Sequence, residues 1–534
     1  MKPEDLCGMM INEGVLEAET ADRLIKRARE SSSAPLDLLH TEAGVPYERI
    51  SIFLWENFGI PAFSRDRHRF DTDALDMIDP ETAVKHTAIP VFIKDNKLYA
   101  AFADPFSARA YEDFVLRGRS VAVMYAPAGE VRKLIEKYYG ASLRGAVIKK
   151  QSESSAAQLL DLILDAAVNR DASDIHIEPF DTTVRVRLRL DGALRELETL
   201  PAEMLPTLIS RIKILSGMDI SERRLPQDGH FKQKRGDKKI DFRVSVIHTI
   251  HGEKAVVRLI YDETGALGKY DLGFFEDGLE QLNALFNRRQ GMILLTGPTG
   301  CGKTTTLAAC VKELNTEDVN IVTIEDPTEN VIYGVNQIDI NPKAGFDFAN
   351  ALRSILRQDP DVIMVGEIRD EETAALAVRS AVTGHLVLST LHTGDAVSAV
   401  YRLIDMNVPD YLVYSAIAGI VSQRLIRRIC RFCKTAETIK KEDAYALRLP
   451  EDTAVYYGAG CPECENTGYA GRFAVYEILA ADDGLKQFLW QRPPESDIKR
   501  RLADAGMRTI WDCAVKNVLL GNTTVREMYG AVFE

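Results

Sequence analysis

One short segment constrains this chain more than any other, because it joins an apolar run, a glycine-rich loop and a helix-compatible run. Residues 291–306 read Gly-Met-Ile-Leu-Leu-Thr-Gly-Pro-Thr-Gly-Cys-Gly-Lys-Thr-Thr-Thr. Gly297 to Thr304 fits G-x-x-x-x-G-K-[ST], and the strand, loop and helix order is the context that a phosphate-binding loop needs. The alternative is a glycine-rich turn that matches by chance, and the preceding apolar strand argues against it.

A loop of this kind turns backbone N–H groups toward a polyanion, and the helix N-terminus adds partial positive charge. Lys303 would reach the β- and γ-phosphates of ATP, and Thr304 would hold Mg²⁺. The residues that we predict to bind the nucleotide phosphates are Gly297, Pro298, Thr299, Gly300, Cys301, Gly302, Lys303, Thr304 and Thr305.

Three further apolar runs lead to Glu325, Glu367 and His392. The run before Glu367 resembles a Walker B strand, with Gly366 where many ATPases carry Asp. Ligands of open α/β sheets lie at the carboxyl ends of the strands, so we expect these three side chains to converge beside Lys303. A single carboxylate after a strand is usually a helix cap, but two of them with a phosphate loop favour phosphoryl transfer.

These segments together resemble a known family. Residues 325–327 (Glu-Asp-Pro) resemble its Asp box, 365–370 (Val-Gly-Glu-Ile-Arg-Asp) its Walker B box, and 383–393 (Thr-Gly-His-Leu-Val-Leu-Ser-Thr-Leu-His-Thr) its His box. Residues 352–360 (Leu-Arg-Ser-Ile-Leu-Arg-Gln-Asp-Pro) are also typical of it. The resemblance is to the secretion-ATPase superfamily that powers type II secretion and type IV pilus assembly, and it spans roughly residues 150–534.

The length of 534 residues favours several domains. The resemblance implies a multidomain α/β chain. Its RecA-like P-loop ATPase core would follow a helix-rich N-terminal module and an α+β (PAS-like) domain, and precede a tetracysteine zinc element and a helical C-terminal region. The predicted boundaries are 1–140 for the N-terminal module, 141–155 for a polar linker, 156–262 for the α+β domain, 272–425 for the core, 426–475 for the tetracysteine element and 476–534 for the C-terminal region.

Hydrophobic periodicity predicts individual elements within the first two modules. We expect amphipathic helices at 18–28 and 49–54, short strands around the Asp95-Asn96 turn, and a closing helix at 130–139. Residues 184–190 alternate strictly between apolar residues and arginine, which predicts a strand with its arginines facing solvent.

Four of the eight cysteines are spaced as two C-x₂-C pairs: Cys430, Cys433, Cys461 and Cys464. Each pair can bind one metal from a tight turn, and four thiolates complete a closed tetrahedral Zn²⁺ site. The alternative is four reduced cysteines without a metal. The family often carries such an element, which favours zinc. A closed site has no open position, so we assign it no catalytic role.

The net charge of −13 argues against nucleic acid as the main partner. No apolar run approaches the ~18 residues of a membrane span, and the N-terminus lacks a secretory signal pattern. We therefore expect a cytoplasmic chain that reaches the inner face of the inner membrane only through partner proteins.

The resemblance implies a homo-hexameric ring that hydrolyses Mg-ATP at sites between the α+β domain and the core. Such a motor would act on an inner-membrane platform protein to assemble pilin-like subunits. Extension is favoured over retraction, because retraction members are generally shorter and usually lack the N-terminal module and the tetracysteine element. The alternatives are a DNA-uptake or conjugation-type motor of the same superfamily, and a nucleotide-binding scaffold with little turnover.

Roles within the site follow from the same resemblance. Thr304 and Glu367 would hold Mg²⁺, and His392 would sense the γ-phosphate, with His385 a weaker candidate. Either Glu325 or Glu367 would orient and deprotonate the attacking water; the sequence leaves that choice open, and we favour Glu325. The intact set of two carboxylates and a histidine favours an ATPase over a scaffold.

In the family, the α+β domain supplies cations to the phosphates. Arg211 and Arg224 are our candidates, because a guanidinium in a closing site stabilises transition-state charge. The alternative is an ordinary solvated basic face.

The N-terminal module, residues 1–140, is predicted to dock on a partner protein. In some related motors this region binds cyclic di-GMP through Arg-Leu-Gly-x-x-Leu segments. Residues 6–15 and 35–44 keep the apolar spacing and the later glycine of that pattern, but neither has the Arg-Leu-Gly opening. The missing arginine removes a planar cation suited to phosphate or guanine, so protein docking is favoured and dinucleotide binding is the alternative.

Overall fold

The computed structural model divides the chain into two compact units, Met1–Tyr261 and Asp262–Glu534. The residues that it describes are 3–17, 20–21, 23–26, 35–41, 43–65, 67–115, 120–148, 153–235, 238–261, 268–328, 331–341 and 345–533. The helix predicted at 18–28 therefore lies partly outside the described residues, and its described parts, 20–21 and 23–26, are helical.

The first unit opens with helices and a small sheet. Its elements up to residue 148 are α1 (Pro3–Asn12), α2 (Pro35–Thr41), α3 (Tyr47–Phe58), α4 (Thr72–Leu75), α5 (Pro80–His86), β1 (Ala88–Lys94), β2 (Lys97–Phe102), α6 (Ala108–Val115), β3 (Ser120–Tyr125) and α7 (Ala128–Ile148). β1 and β2 form an antiparallel pair around the predicted Asp95-Asn96 turn, and β3 pairs in parallel with β2. Leu6, Met10 and Leu39 pack in one core, which is the apolar stripe that amphipathic helices present.

The stretch 141–155, predicted as a polar linker, is largely helical. α7 continues to Ile148 and α8 (Glu153–Asn169) follows, while 149–152 lie outside the described residues. Arg144 Nη1 donates to Glu136 Oε1 at 2.5 Å, and the two side chains are only 2% and 7% exposed. Burial raises the pKa of Glu136, and the charge of Arg144 opposes the rise. A charged residue in a polar stretch suggests a solvated linker, but a buried partner two turns earlier lets it pack inside.

The rest of the first unit is the α+β domain. Its elements are α8, β4 (Asp174–Pro179), β5 (Thr183–Leu190), β6 (Ala193–Pro201), α9 (Leu205–Leu215), β7 (Gln227–Arg235), β8 (Lys238–Thr249) and β9 (Gly252–Tyr261). The six strands form an antiparallel sheet in the order β6-β5-β4-β9-β8-β7. In β5, Val184, Val186 and Leu188 are buried and the arginines between them are partly exposed, as the alternation predicts.

The second unit is built on a seven-stranded sheet in the order β12-β11-β13-β14-β10-β15-β18. Its strands are β10 (Gly291–Thr296), β11 (Ile321–Glu325), β12 (Asn336–Asp339), β13 (Val362–Val365), β14 (Leu386–Leu391), β15 (Ile417–Ile429), β16 (Lys434–Thr438), β17 (Ala454–Gly458) and β18 (Tyr469–Ala480), of which β16 and β17 form a separate pair. Neighbouring strands from β12 across the sheet to β15, in the order just given, are all parallel. The last strand, β18, pairs antiparallel with β15.

Helices cover both faces of this sheet, so β10, β11, β13 and β14 are buried at every residue. Near-continuous apolar runs are what parallel strands covered on both faces require. The helices are α10 (Glu276–Phe286), α11 (Lys303–Leu314), α12 (Phe348–Ile355), α13 (Glu371–Val382), α14 (Ala396–Asp405), α15 (Asp410–Ala416), α16 (Lys441–Leu447), α17 (Asp483–Leu489), α18 (Glu495–Asp504), α19 (Ile510–Leu519) and α20 (Val525–Phe533).

The predicted borders of the tetracysteine element cut through two strands of the core sheet. β15 crosses the border at 425/426, and β18 crosses the one at 475/476. The two strands pair from Gly419 with Ala480 out to Ile429 with Tyr469. The element is therefore an insertion between the outer ends of two core strands, which cysteine spacing alone could not reveal.

We find no helix in the described part of the chain that is both long and apolar enough to cross a membrane. The longest helix, α7, has 21 residues and carries charged side chains along its length.

Candidate nucleotide and zinc sites

The glycine-rich loop leaves β10 and enters α11 as predicted. Gly297, Gly300 and Gly302 have φ angles of 143°, 78° and 87°, which residues with a Cβ rarely adopt. A Cβ at Gly297 would also lie 2.4 Å from the carbonyl oxygen of Gln423 and 2.6 Å from Cys301 Sγ. Glycine is thus required both by conformation and by close packing. The loop and the N-terminus of α11 form the kind of cradle that phosphate groups occupy.

The side chain of Lys303 folds back on this loop. Its Nζ donates to the carbonyl oxygens of Gly297 at 2.9 Å and Pro298 at 3.0 Å. Burial lowers the pKa of Lys303, and the nearby Cys301 and Glu367 oppose that shift. Phosphate oxygens would replace these two neutral carbonyl acceptors with charged ones. Because charge-assisted hydrogen bonds are stronger than neutral ones, the exchange favours phosphate binding.

Two residues of β15 that the sequence analysis missed bond to two loops of the site. Gln423 Nε2 donates to the carbonyl oxygen of Cys301 at 2.8 Å, and its Oε1 accepts from Thr306 Oγ1 at 3.1 Å. Arg424 Nη2 donates to the carbonyl oxygen of Gly394 at 2.6 Å, so it joins β15 to the loop after β14. The available signal was a glutamine and an arginine after the largely apolar first half of β15.

The carboxyl ends of β13 and β14 bring Glu367 and His392 together, as predicted. His392 Nε2 lies 3.7 Å from Glu367 Oε2. Burial and the positive charge of Lys303 lower the pKa of His392, while Glu367 opposes them. Lys303 and Glu367 are therefore close enough to His392 to influence its protonation.

Arg369 is a further member of this group that the sequence analysis did not single out. Its Nη2 donates to Glu367 Oε1 at 2.6 Å, and its Nη1 lies 3.6 Å from Asp326 Oδ2. The hydrogen bond to Glu367 raises the pKa of Arg369. Its position two residues after Glu367 was the available signal. A cation bound at Glu367 would compete with this guanidinium for the carboxylate.

Glu325 ends β11 and is 5% exposed. Its Oε1 accepts from Thr323 Oγ1 at 2.7 Å and from Gln337 Nε2 at 3.0 Å. Gly366 directly follows β13, and the neighbouring strand β11 explains why this position is a glycine. A Cβ there would lie 3.1 Å from the carbonyl oxygen of Ile324 and 3.5 Å from Glu325 Cα, so the aspartate common in other ATPases would crowd β11.

Three weaker candidates lie outside this group or remain predictions. His385 directly precedes β14, whereas His392 directly follows it, so the two histidines lie at opposite ends of the same strand. The Nδ1 atom of His385 lies 3.0 Å from the carbonyl oxygen of Ser380. Arg211 on α9 and Arg224 in the loop after it are both exposed in the first unit. Their predicted contact with phosphate stays a prediction.

The four cysteines lie together, with all four sulfur atoms within 4.8 Å of one another. The Sγ–Sγ distances are 3.8 Å for Cys430 and Cys461, 3.8 Å for Cys433 and Cys464, and 3.7 Å for Cys461 and Cys464. Four sulfurs placed ~2.3 Å from a tetrahedral Zn²⁺ would be ~3.8 Å apart, so this cluster fits zinc.

The surroundings of Cys464 favour its metal-binding form. The backbone N–H groups of Cys461 and Gly468 donate to Cys464 Sγ at 3.3 Å and 3.2 Å. Burial works against them, but hydrogen bonds from backbone and neighbouring thiols lower the pKa of Cys464 to about 6. The thiolate is the form of cysteine that binds metals.

A parallel sheet with a glycine-rich phosphate loop, two carboxylates and a histidine at its carboxyl edge defines a P-loop ATPase. A family model described as Type II/IV secretion system protein matches residues 149–530, and an MshEN domain model matches 58–145. Because the first match covers more than half of the chain, the chain belongs to that family, and it is an ATPase. The predicted superfamily is confirmed.

Relatives agree over most of the chain. It is 36% identical to the type IV pilus assembly ATPase PilB of Myxococcus xanthus, over 98% of both chains. It is 41% identical to the type II secretion system protein E of Xanthomonas campestris, over 82% of both. The solved structure of the Legionella pneumophila ATPase DotB covers 69% of this chain and 93% of that chain, with a TM-score of 0.53 and 22% identity, and so shares the fold.

Proposed function

We propose that this chain is a hexameric, cytoplasmic motor ATPase that works at the inner face of the inner membrane. There it would drive assembly of pilin-like subunits through a platform protein, in type II secretion or type IV pilus extension. The convergence of Lys303, Glu367 and His392 beside the glycine-rich loop carries the ATPase part. The names of the two relatives, one from each system, support the wider role. Loss of filament assembly or secretion in cells that carry only an inactive variant tests that role.

The site residues divide the work of ATP hydrolysis. Lys303 exchanges its two loop carbonyls for phosphate oxygens. Thr304 and Glu367 offer the oxygen ligands that Mg²⁺ prefers, and bound Mg²⁺ neutralises charge on the phosphates. Glu367 would hold the metal only with its hydrogen bond to Arg369 released. His392, beside Glu367, would sense the γ-phosphate.

We assign the water-orienting role to Glu325. Glu367 contacts Arg369 and His392 and influences Lys303, so its carboxylate belongs to the metal and phosphate side of the site. Glu325 instead accepts from neutral donors at the end of the neighbouring strand. A carboxylate that two hydrogen bonds hold at a strand end is suited to orient a water molecule and accept its proton.

Hexamer assembly predicts a steep dependence of ATPase activity on protein concentration, because shared sites exist only between subunits.

Arg211→Ala or Arg224→Ala should lower turnover more than ATP affinity if these guanidinium groups act mainly in the transition state. On a dilution series, phosphate release measures the turnover of each variant, and light scattering measures its oligomeric state. Arg109→Ala, on exposed residue 109 of α6, is the matched control. A monomer with full specific activity would contradict the shared site.

The N-terminal module is proposed to dock on a membrane-associated partner protein. α3 buries Ile50 and Leu54 but leaves Ile52 and Trp55 57% and 60% exposed. Exposed apolar side chains on one helix are suited to a protein contact. Trp55→Ala should leave the purified ATPase unchanged and lower filament assembly or secretion in cells.

The matched control for docking is Tyr445→Ala, which removes another exposed aromatic side chain, 90% exposed on α16. Full motor function with Trp55→Ala would argue against this surface. Tight, stoichiometric binding of cyclic di-GMP to the full chain in calorimetry would favour the alternative, a dinucleotide-binding module.

A further inference from the structure

Three polar side chains share one face of the core sheet at its β12 edge. Thr323 and Glu325 are two residues apart on β11, so they point to the same face. β11 and β12 are parallel, and Thr323 is in register with Gln337, which places Gln337 on that face as well. Thr323 is fully buried and Glu325 nearly so.

The two neighbours donate to the same oxygen of Glu325. Thr323 Oγ1 lies 2.7 Å and Gln337 Nε2 3.0 Å from Glu325 Oε1. The amide of Gln337 is itself oriented, because its Oε1 accepts from the backbone N–H of Ile332 at 2.7 Å. That bond turns the NH₂ group, which can only donate, toward the carboxylate.

A carboxylate this buried loses most of its hydration, and burying a charge without hydrogen bonds is strongly unfavourable. Two donors replace part of the lost water. Because both bonds end on one oxygen, they also restrict rotation of the carboxylate group. The arrangement thus fixes the orientation that a water-orienting group needs.

We propose that Thr323 and Gln337 are positioning residues for ATP hydrolysis, which hold the carboxylate of Glu325 in one orientation. This inference rests on the proposed role of Glu325 in orienting the attacking water. Neither residue is assigned contact with the nucleotide, so both act through Glu325.

The core sheet does not need every buried hydroxyl to be bonded. Ser422, on β15, is fully buried, and its Oγ has no hydrogen-bond partner among the described residues. On β13, the register partner of Thr323 is the apolar Met364. A valine at position 323 keeps the shape and β-branching of threonine and removes only the hydroxyl.

The test compares Thr323→Val and Gln337→Leu in the full chain by steady-state ATPase kinetics. We expect kcat to fall by about 10- to 100-fold in each, with the KM for ATP changed by less than about twofold, because misplacing a catalytic group affects the reaction rather than binding. Thr323→Ser restores the hydroxyl and should recover most of kcat. Ser422→Ala, which removes a buried hydroxyl of the same sheet, should keep the wild-type kcat.

A double variant separates positioning from a general structural effect. If Thr323 acts through Glu325, adding Thr323→Val to Glu325→Gln causes no further loss of kcat. Losses that add fully, or that Thr323→Ser does not restore, would overturn the inference. The inference would also be overturned if Thr323→Val and Gln337→Leu kept the wild-type kcat while Glu325→Gln was inactive. The proposed function would stand in that case. Wild-type kcat in Glu325→Gln would overturn the role of Glu325 and this inference with it.

Discussion

Glu367→Gln is expected to bind ATP about as tightly as the wild type and to release phosphate about 10²- to 10³-fold more slowly. The loss has the size of one electrostatic contact that acts in the transition state. Gln keeps the shape of the side chain but removes the charge that faces Arg369, His392 and the proposed metal position. Binding survives, because the glycine-rich loop and Lys303 hold the phosphates. Phosphate release and nucleotide-binding calorimetry on the same preparation measure the two effects.

Two comparisons sharpen this experiment. Lys303→Ala should abolish nucleotide-dependent activity and weaken ATP binding as well, because the cation that contacts the phosphates is lost. Glu451→Gln makes the same chemical change on a glutamate whose side chain is 67% exposed, and it should behave as the wild type. Wild-type turnover in Glu367→Gln would show that the active-site assignment is wrong.

Cys461→Ser is expected to lose the bound zinc and to lower the thermal stability of the second unit markedly. Metal analysis of the wild type should give about one zinc per chain, since four sulfurs at tetrahedral spacing hold a single ion. The ligands come from the end of β15 and from the segment before β18, so the metal ties together a long insertion of the core sheet. Ligand binding energy at such a site is also folding energy, which is why its loss should be large.

Cys310→Ala is the matched control for the zinc site. Cys310 is buried on α11, away from the cluster, so its removal should leave one zinc per chain with only a modest loss of stability. Metal analysis with thermal unfolding, before and after treatment with a chelator, distinguishes the variants. A folded wild-type chain without zinc, unchanged by the chelator, would contradict the assignment.

Much of the candidate site was accessible from sequence, and the reason is local. A strand, a glycine-rich loop and a helix are contiguous, so Gly297 to Thr304 could be placed with no knowledge of the fold. The same holds for Glu325, Glu367 and His392, which end apolar strands whose carboxyl ends share one edge of the sheet. Cysteine spacing likewise indicated the zinc ligands, because each C-x₂-C pair is a short turn.

Domain limits were harder to place, because they depend on pairing between distant strands. The polar composition of 141–155 suggested a linker, but the buried pair of Arg144 and Glu136 makes most of it helix. Similarly, the cysteine pairs suggested a separate element at 426–475, while the hydrogen bonds of β15 and β18 continue through both borders. Composition indicates only how solvated a segment is on average, whereas one buried ion-pair partner can bury a particular charged residue within it.

Local sequence patterns were enough to predict the family, the phosphate loop and the residues at the strand ends and in the cysteine cluster. The contacts that hold these residues become visible only in the folded chain. Gln423 supports the loop from β15, Arg369 bridges Glu367 and Asp326, and Gln337 reaches Glu325 from the edge strand. The physical reason is the order of the core sheet, in which neighbouring strands are often far apart in the chain. A local pattern names a chemical group, but the orientation and charge state of that group depend on contacts that only folding creates.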